Sequence, residues 1–200
     1  MLTLGWSDGS TFLPVNSVLL STDNKKNRIN EANAVDKRTV GYKRRQLSMQ
    51  KGTSVMLELL KQAKKANIPA KYVLFDSWFS SPSSIHAVRE IGYDVIAMVK
   101  KTPKMFFRYN GEDMSLISIY NKNKKRRGRS RYLLSVMVDV VKDGNIIPAK
   151  WFMSAIETKE KNIFVSFQQI LNWMKMKSSA FMENDGISKF SSKSAKVTCI

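Results

Sequence analysis

An α/β fold is what the sequence predicts, and three consecutive segments carry the prediction. A helix-period run at 54–67 leads into the short apolar run Tyr72-Val73-Leu74-Phe75. A second helix-like stretch, 82–92, starts at Pro82, and another apolar run, Asp94–Val99, follows it. Strand and helix in alternation build a parallel sheet with right-handed crossovers. In the first helix Val55, Leu57, Leu59, Leu60 and Ala63 form an apolar face, with Lys61, Lys64 and Lys65 opposite. Ser54 is its expected cap and Ile68-Pro69 its stop. Tyr72–Phe75 is apolar on both faces, the pattern of a buried central strand.

The flanking segments extend the sheet. Residues 1–6 and 11–20 are apolar runs joined by Ser-Asp-Gly-Ser, a strand, a turn and a strand. Residues 21–52 are polar, basic and without period, so a loop with at most one helical turn is expected there. From about 103 to 150 the character changes. Strand-like runs at 114–120, 132–141 and 145–149 bracket the basic run Lys122 to Arg131, and Asp143-Gly144 marks a hairpin turn. This reads as a β-rich insertion carrying a basic loop.

Charge narrows the partner. The chain of 200 residues carries 34 Lys and Arg against 16 Asp and Glu, a net charge of +18. An excess of that size suits a polyanion, above all nucleic acid, because each phosphate contact releases condensed counterions. The plainer alternative is a basic protein that is merely soluble. Cys199 is the sole cysteine and His86 the sole histidine, which excludes a disulfide framework, a cysteine or histidine metal centre and a spare Ser-His-Asp triad. His86 is expected as a surface or core imidazole. No signal-type leader and no run of eighteen apolar residues is present, so a reducing cytoplasm and no membrane are expected.

Asp76 ends the apolar run 72–75. Open α/β sheets place their active sites at the carboxyl ends of the strands, whereas a turn or N-cap aspartate is the bland reading of the same position. Neighbouring blocks weigh on that choice. The stretches MLTLGWSDGSTFLPVNSVLL, DKRTVGYKRR, LLKQAKKANIPAKYVLFDSWFSSP and KKRRGRSRYL resemble DDE transposases of the insertion-sequence-4 type, block after block over about residues 1–150. The resemblance implies a ribonuclease-H-like core in which an Asp, Asp, Glu set holds two divalent ions, Mg²⁺ or Mn²⁺, for attack on a phosphodiester. Two metals clamp the attacking and leaving oxygens, and carboxylates suit such hard ions. Asp76-Ser77-Trp78-Phe79 matches the motif of the family's second Asp, so Asp76 inherits the roles of catalytic residue and metal ligand.

The other two carboxylates are expected to be missing. The resemblance puts the first Asp on a strand before MLTLGW; Asp8, Asp23, Glu31 and Asp36 end no suitable strand. That strand would lie between 1–6 and 72–76, so its neighbours would be left as unpaired edges unless they close up or the tail covers the gap. The family's Glu belongs to a late signature of Tyr, two residues, Arg, three residues, Glu, six residues, Lys. Residues 151–200 lack it. Permissible codons from Trp151 onward, read two bases out of step, nevertheless spell YGKRWDIEVFFKVCK, the signature with its spacing. A frameshift near Lys150 is therefore expected, with 151–200 an out-of-frame tail in which Phe164, Phe167, Leu171 and Met174 fall at helical spacing.

Lys43, Arg44 and Arg45, and Lys124, Lys125, Arg126, Arg127 and Arg129, are the candidate DNA contacts. They would hold phosphates of transposon-end or target DNA rather than read bases, against the alternative of a solvated charged face. The sequence reading is thus a partial ribonuclease-H-like α/β domain, a DNA transposase by family and inactive as it stands. The alternatives are a basic DNA-binding remnant that interferes with, or associates with, an intact transposase, and a small RNA-binding protein. The nucleotide sequence of the locus tests the frameshift directly. A second frame past the Lys150 codon should encode the Tyr-Arg-Glu-Lys signature, and an in-frame run ending in Asp-Asp should precede Met1. Finding neither would refute the out-of-frame reading.

Overall fold

The computed structural model describes residues 1–30, 35–99, 102, 104–123, 132–155, 163–168 and 196–199. Strands β1 (Leu2–Ser7) and β2 (Phe12–Val18) form the expected antiparallel hairpin. Its turn is held by Asp8, whose carboxylate accepts from Thr11 N–H at 2.7 Å and Ser10 N–H at 2.8 Å. These two bonds, Thr11 first, hold the Asp8 carboxyl below its ordinary pKa. The Phe12 ring lies across Gly5, where a Cβ would fall 2.1 Å from the ring tip, so a larger residue there would push this exposed ring aside.

Helix α1 (Val40–Ser48) occupies part of the segment expected to be loop. None of its residues is buried, so it shows no apolar period. Local chemistry makes it instead: Thr39 Oγ1 accepts from Tyr42 N–H at 3.2 Å and caps the first turn. Helix α2 (Gly52–Lys65) buries Val55, Met56, Leu59, Leu60 and Ala63, the predicted face with Met56 added and Leu57 only partly covered. Ser54 lies inside the helix; the cap position is Lys51, which makes no side-chain capping bond. The stop comes before Ile68-Pro69. Asn67 turns left-handed at φ 54°, and the amides of Asn67 and Ile68 bond back to the carbonyls of Lys64 and Ala63.

The predicted βαβ unit follows. Strand β3 (Tyr72–Phe75), helix α3 (Pro82–Glu90) and strand β4 (Asp94–Val99) put β3 and β4 side by side and parallel. Ser81 caps α3 by accepting from Ser84 N–H at 3.2 Å, with Pro82 at the favoured first position. An Arg89–Asp94 ion pair ties the end of α3 to the start of β4.

Strands β5 (Phe106–Tyr109) and β6 (Glu112–Ser115) then form a hairpin. Helix α4 (Leu116–Asn123) replaces the strand expected at 114–120. Ser115 accepts from Ser118 N–H at 3.2 Å, and Leu116 and Ile119, three apart, are the buried pair, so capping and period both favour helix. Strands β7 (Tyr132–Lys142) and β8 (Asn145–Ala155) pair around Asp143-Gly144, both at positive φ, the two-residue turn expected there. Strand β9 (Ile163–Gln168) includes Phe164 and Phe167, so their helical spacing is overruled, while Leu171 and Met174 lie outside the described residues. The last described strand is β10 (Lys196–Cys199).

The ten strands among the described residues join one sheet in the order β2-β1-β10-β3-β4-β9-β8-β7-β5-β6. Two insertions by the chain's last quarter decide that order. β9 lies antiparallel between β4 and β8. β10 lies antiparallel to β1 and parallel to β3, inside the gap that would otherwise leave two bare edges. β8 also runs through Lys150 without a break. Trp151 just beyond it is fully buried, its ring edge-on to Phe107 with centroids 4.3 Å apart. Helices α2 and α3 pack against each other and over β1, β4 and β7 to close the core.

Trp151 provides a stability test. Its Nε1 has no hydrogen-bond partner among the described residues, and an unpaired buried donor costs about 1–3 kcal/mol. Trp151→Ala should lower unfolding stability by about 3–5 kcal/mol in a urea titration. Trp151→Phe keeps the ring contact and loses the orphaned N–H, so it should cost much less. An unchanged midpoint in Trp151→Ala would show that the strand does not continue past Lys150.

Candidate active site and nucleic-acid interface

Asp76 is the first residue after β3, at the carboxyl end of a strand whose Val73 and Phe75 are buried. Its own side chain is exposed. The chain reverses immediately: Phe79 N–H donates to Asp76 O at 3.0 Å, and Ser77 N–H donates to Asp76 Oδ1. Ser80, fully buried, closes the loop by donating to Ser77 O at 2.9 Å before Ser81 begins α3. The tight turn is anchored from below by Phe79, which meets Phe75 edge-on at 6.4 Å, and it leaves Trp78 projecting at 79 % exposure. A Cβ on Gly52 would sit 3.9 Å from Phe79 Cε1, so the start of α2 adjoins the same turn. Asp76 is therefore a turn residue and a strand-end carboxylate at once, placed where sheet topology puts catalytic groups.

Strand register shows what else reaches that end. Tyr72 is level with Lys196 and Ser7, and Phe75 with Cys199 and Leu4. Asp8, one residue past Ser7, thus lies at the opposite end of the sheet, roughly 13–17 Å from Asp76 along the strand direction at ~3.3 Å per residue. Asp94 starts β4 opposite Tyr72, at that far end too. Asp139 on β7 is two residues past Met137, which pairs with Lys150, then Gln168, then Ile96; it too is level with the start of β4. Each of these three carboxylates has a local task in a turn or at a strand start, or lies on the distant half of the sheet.

Among the described residues no three His, Cys, Asp or Glu side chains come close enough to hold a metal ion. One exposed carboxylate is a poor cage for even a single hard cation, which takes about six oxygens, and two such ions need bridging carboxylates. The described donor set does not fit a two-metal centre.

The solitary histidine is structural. His86 is buried on α3, and its Nε2 is 3.1 Å from Val140 O on β7, a bond that pins helix to sheet.

The two basic clusters fare differently. Lys43, Arg44 and Arg45 are exposed on α1. Lys43 and Arg44, joined by Lys37, rim a groove of about 560 Å³ between α1, α2 and β2. Its polar floor is a chain of hydrogen bonds: Asn16 Nδ2 donates to Gln62 Oε1 at 2.9 Å, and Gln62 Nε2 donates to Glu58 Oε1 at 3.0 Å. Lys37 lies in the basic block DKRTVGYKRR. Asn16, Glu58 and Gln62 gave no signal, because three separate segments bring them together. Lys124, Lys125, Arg126, Arg127 and Arg129 lie outside the described residues.

No helix among the described residues is long and apolar enough to cross a membrane. No curated protein and no solved structure matches the chain. Residues 1–163 match the family model of DDE superfamily endonucleases, a span that runs thirteen residues past Lys150 and takes in Asp76, its turn and the whole βαβ unit. A ribonuclease-H-like α/β sheet, an aspartate ending its central strand and a match over most of the sequence agree: this chain belongs to the DDE superfamily endonucleases, whose members act on DNA and generally use divalent metal ions.

Proposed function

We propose that this chain is an insertion-sequence transposase domain of the insertion-sequence-4 type that keeps its DNA-binding surface but not its strand-cutting chemistry. The observation carrying this reading is the isolation of Asp76 at its end of the sheet. Asp76 stands where the resemblance puts the family's second carboxylate, no group of three metal-binding side chains forms among the described residues, and register carries Asp8 and Asp94 to the other end of the sheet. In-line attack on a phosphodiester needs two metal ions held a few ångströms apart. A single carboxylate provides neither the ligand number nor the bridging geometry. The out-of-frame signature within 151–200 supports the same conclusion, since the helix that would supply the late Glu is replaced by other residues.

The retained capacity is phosphate binding. Net charge of +18 and the Lys37, Lys43 and Arg44 rim offer a long-range field and a concave anchoring surface. Such contacts position the duplex without reading bases. The role that follows is occupancy of transposon-end or target DNA, in competition or in association with an intact transposase. The groove favours this binding reading over that of a small RNA-binding protein, because its rim is cationic and it presents no row of aromatic platforms for unstacked bases.

Two measurements test it. Purified chain with Mg²⁺ or Mn²⁺ should neither nick nor join DNA bearing the element's ends, and Asp76→Ala should leave that blank result unchanged. Metal-dependent cleavage that disappears in Asp76→Ala would overturn the inactive assignment. Duplex affinity should fall steeply with salt, and the double variant Lys43→Ala/Arg44→Ala should flatten the log–log slope by about 0.9 per lost phosphate contact. The pair Arg126→Ala/Arg127→Ala should do the same. An unaltered slope would remove the altered cluster from the interface.

A further inference from the structure

The cationic groove and the turn that carries Asp76 share a border. Gln50 belongs to the groove's lining, and Gly52, two residues on, adjoins Phe79, with a Cβ there lying 3.9 Å from Phe79 Cε1. Lys51, exposed, stands between them. The step from Gln50 to Gly52 is at most about 7 Å of backbone. We propose that this continuous face is a path for unpaired nucleotides of DNA, with the cations on the sugar-phosphate backbone and the Trp78 indole stacked on a base. The inference rests on the DNA-binding reading above and deepens it, naming an unpaired strand end rather than uniform duplex as the preferred ligand.

Three observations support it. First, Trp78 is presented rather than packed. Among the described tryptophans, Trp151 is fully buried and the Trp6 indole donates to Pro69 O, whereas Trp78 is 79 % exposed. Second, the residues on both sides of it are fixed. Phe79 N–H donates to Asp76 O at 3.0 Å, Phe79 meets Phe75 edge-on, and the buried Ser80 donates to Ser77 O at 2.9 Å. An indole on a pre-set turn loses little conformational freedom when a flat ligand covers it, so more of the stacking energy is realised as affinity. Third, the charges sort backbone from base. The Asp76 carboxylate, exposed two residues before Trp78, repels phosphate at the turn, while Lys51 and the groove rim attract it. A neutral base is what fits against the indole. A cationic track leading to an aromatic side chain is the chemistry that holds single strands, because every base has a π-face. Within intact duplex both faces are already stacked on neighbouring pairs, so only an unpaired or terminal base can offer one.

The full chain is titrated by fluorescence anisotropy against a labelled blunt duplex, the same duplex with a short unpaired overhang, and the single strand, each at several salt concentrations. Trp78→Ala is expected to weaken binding to the overhang and the single strand by about ten-fold or more, with the salt slope unaltered because no phosphate contact is lost. The blunt duplex, which offers only its terminal pair, should lose less. Trp78→Phe keeps an aromatic face and should restore most of the affinity. Lys51→Ala should instead flatten the log–log slope on the single strand by about 0.7. The outcomes separate this inference from the reading it rests on. Salt-dependent binding that is equally tight in Trp78→Ala and the parent chain would overturn the stacking site and leave the phosphate-binding surface standing. No salt-dependent binding by the parent chain would overturn both. Equal weakening on blunt duplex and overhang would overturn the preference for unpaired bases. An oligomer that Trp78→Ala converts to monomer, with DNA affinity unchanged, would make the indole a protein contact and overturn the proposal.

Discussion

Continuity of backbone hydrogen bonding between β1 and β3 is the constraint on which the rest of the structure depends. The β1–β2 hairpin, with α2 packed over it, forms one part of the core, and β3, α3 and β4 form the next. Only β10 joins the two within the sheet, antiparallel to one neighbour and parallel to the other. Each buried amide or carbonyl left unpaired costs about 1–3 kcal/mol, while a whole domain is stable by only about 5–15. A few open bonds in the middle of the sheet would therefore outweigh most of what the flanking helices contribute. The Trp6 indole, donating to Pro69 O at 2.7 Å, and the packing of α2 against α3 also tie the two parts, but outside the sheet.

The same constraint explains how segments late in the chain come to occupy structured positions. A strand site selects first for extended backbone and only then for side-chain fit. Segments such as Ile163–Gln168 and Lys196–Cys199 are rich in β-branched or aromatic residues, and the sheet offers vacant edges at β4 and at β1 and β3. Edge satisfaction thus recruits whatever suitable segment the chain provides. Hydrogen bonding can be restored by any backbone, but metal binding requires carboxylates at particular places, and neither recruited strand brings an Asp or Glu.

Electrostatics and chemistry consequently separate in this molecule. The cationic rim at α1 depends on charge density alone and survives without exact placement of any one side chain. A metal site at Asp76 would depend on convergence from several strand ends, and register carries Asp8, Asp94 and Asp139 to the other end of the sheet.

Sequence alone determined the elements whose apolar pattern is strong and local. The α2 face, the β3-α3-β4 unit, the Asp143-Gly144 turn and the placement of Asp76 at a strand end were all legible. Period, capping and turn chemistry are properties of neighbouring residues, and those residues are adjacent in the chain. Helix α1 was not legible as a helix because it buries nothing and rests on the Thr39 cap. Helix α4 was hidden because its two buried residues, Leu116 and Ile119, sit in a run that also suits a strand. Only tertiary structure decided that Phe164 and Phe167 lie on a strand, that β10 fills the middle of the sheet, and that Asn16, Glu58 and Gln62 share one groove. Pairing partners far apart in sequence are selected by open hydrogen-bonding edges and by burial, and neither exists until the rest of the sheet has formed.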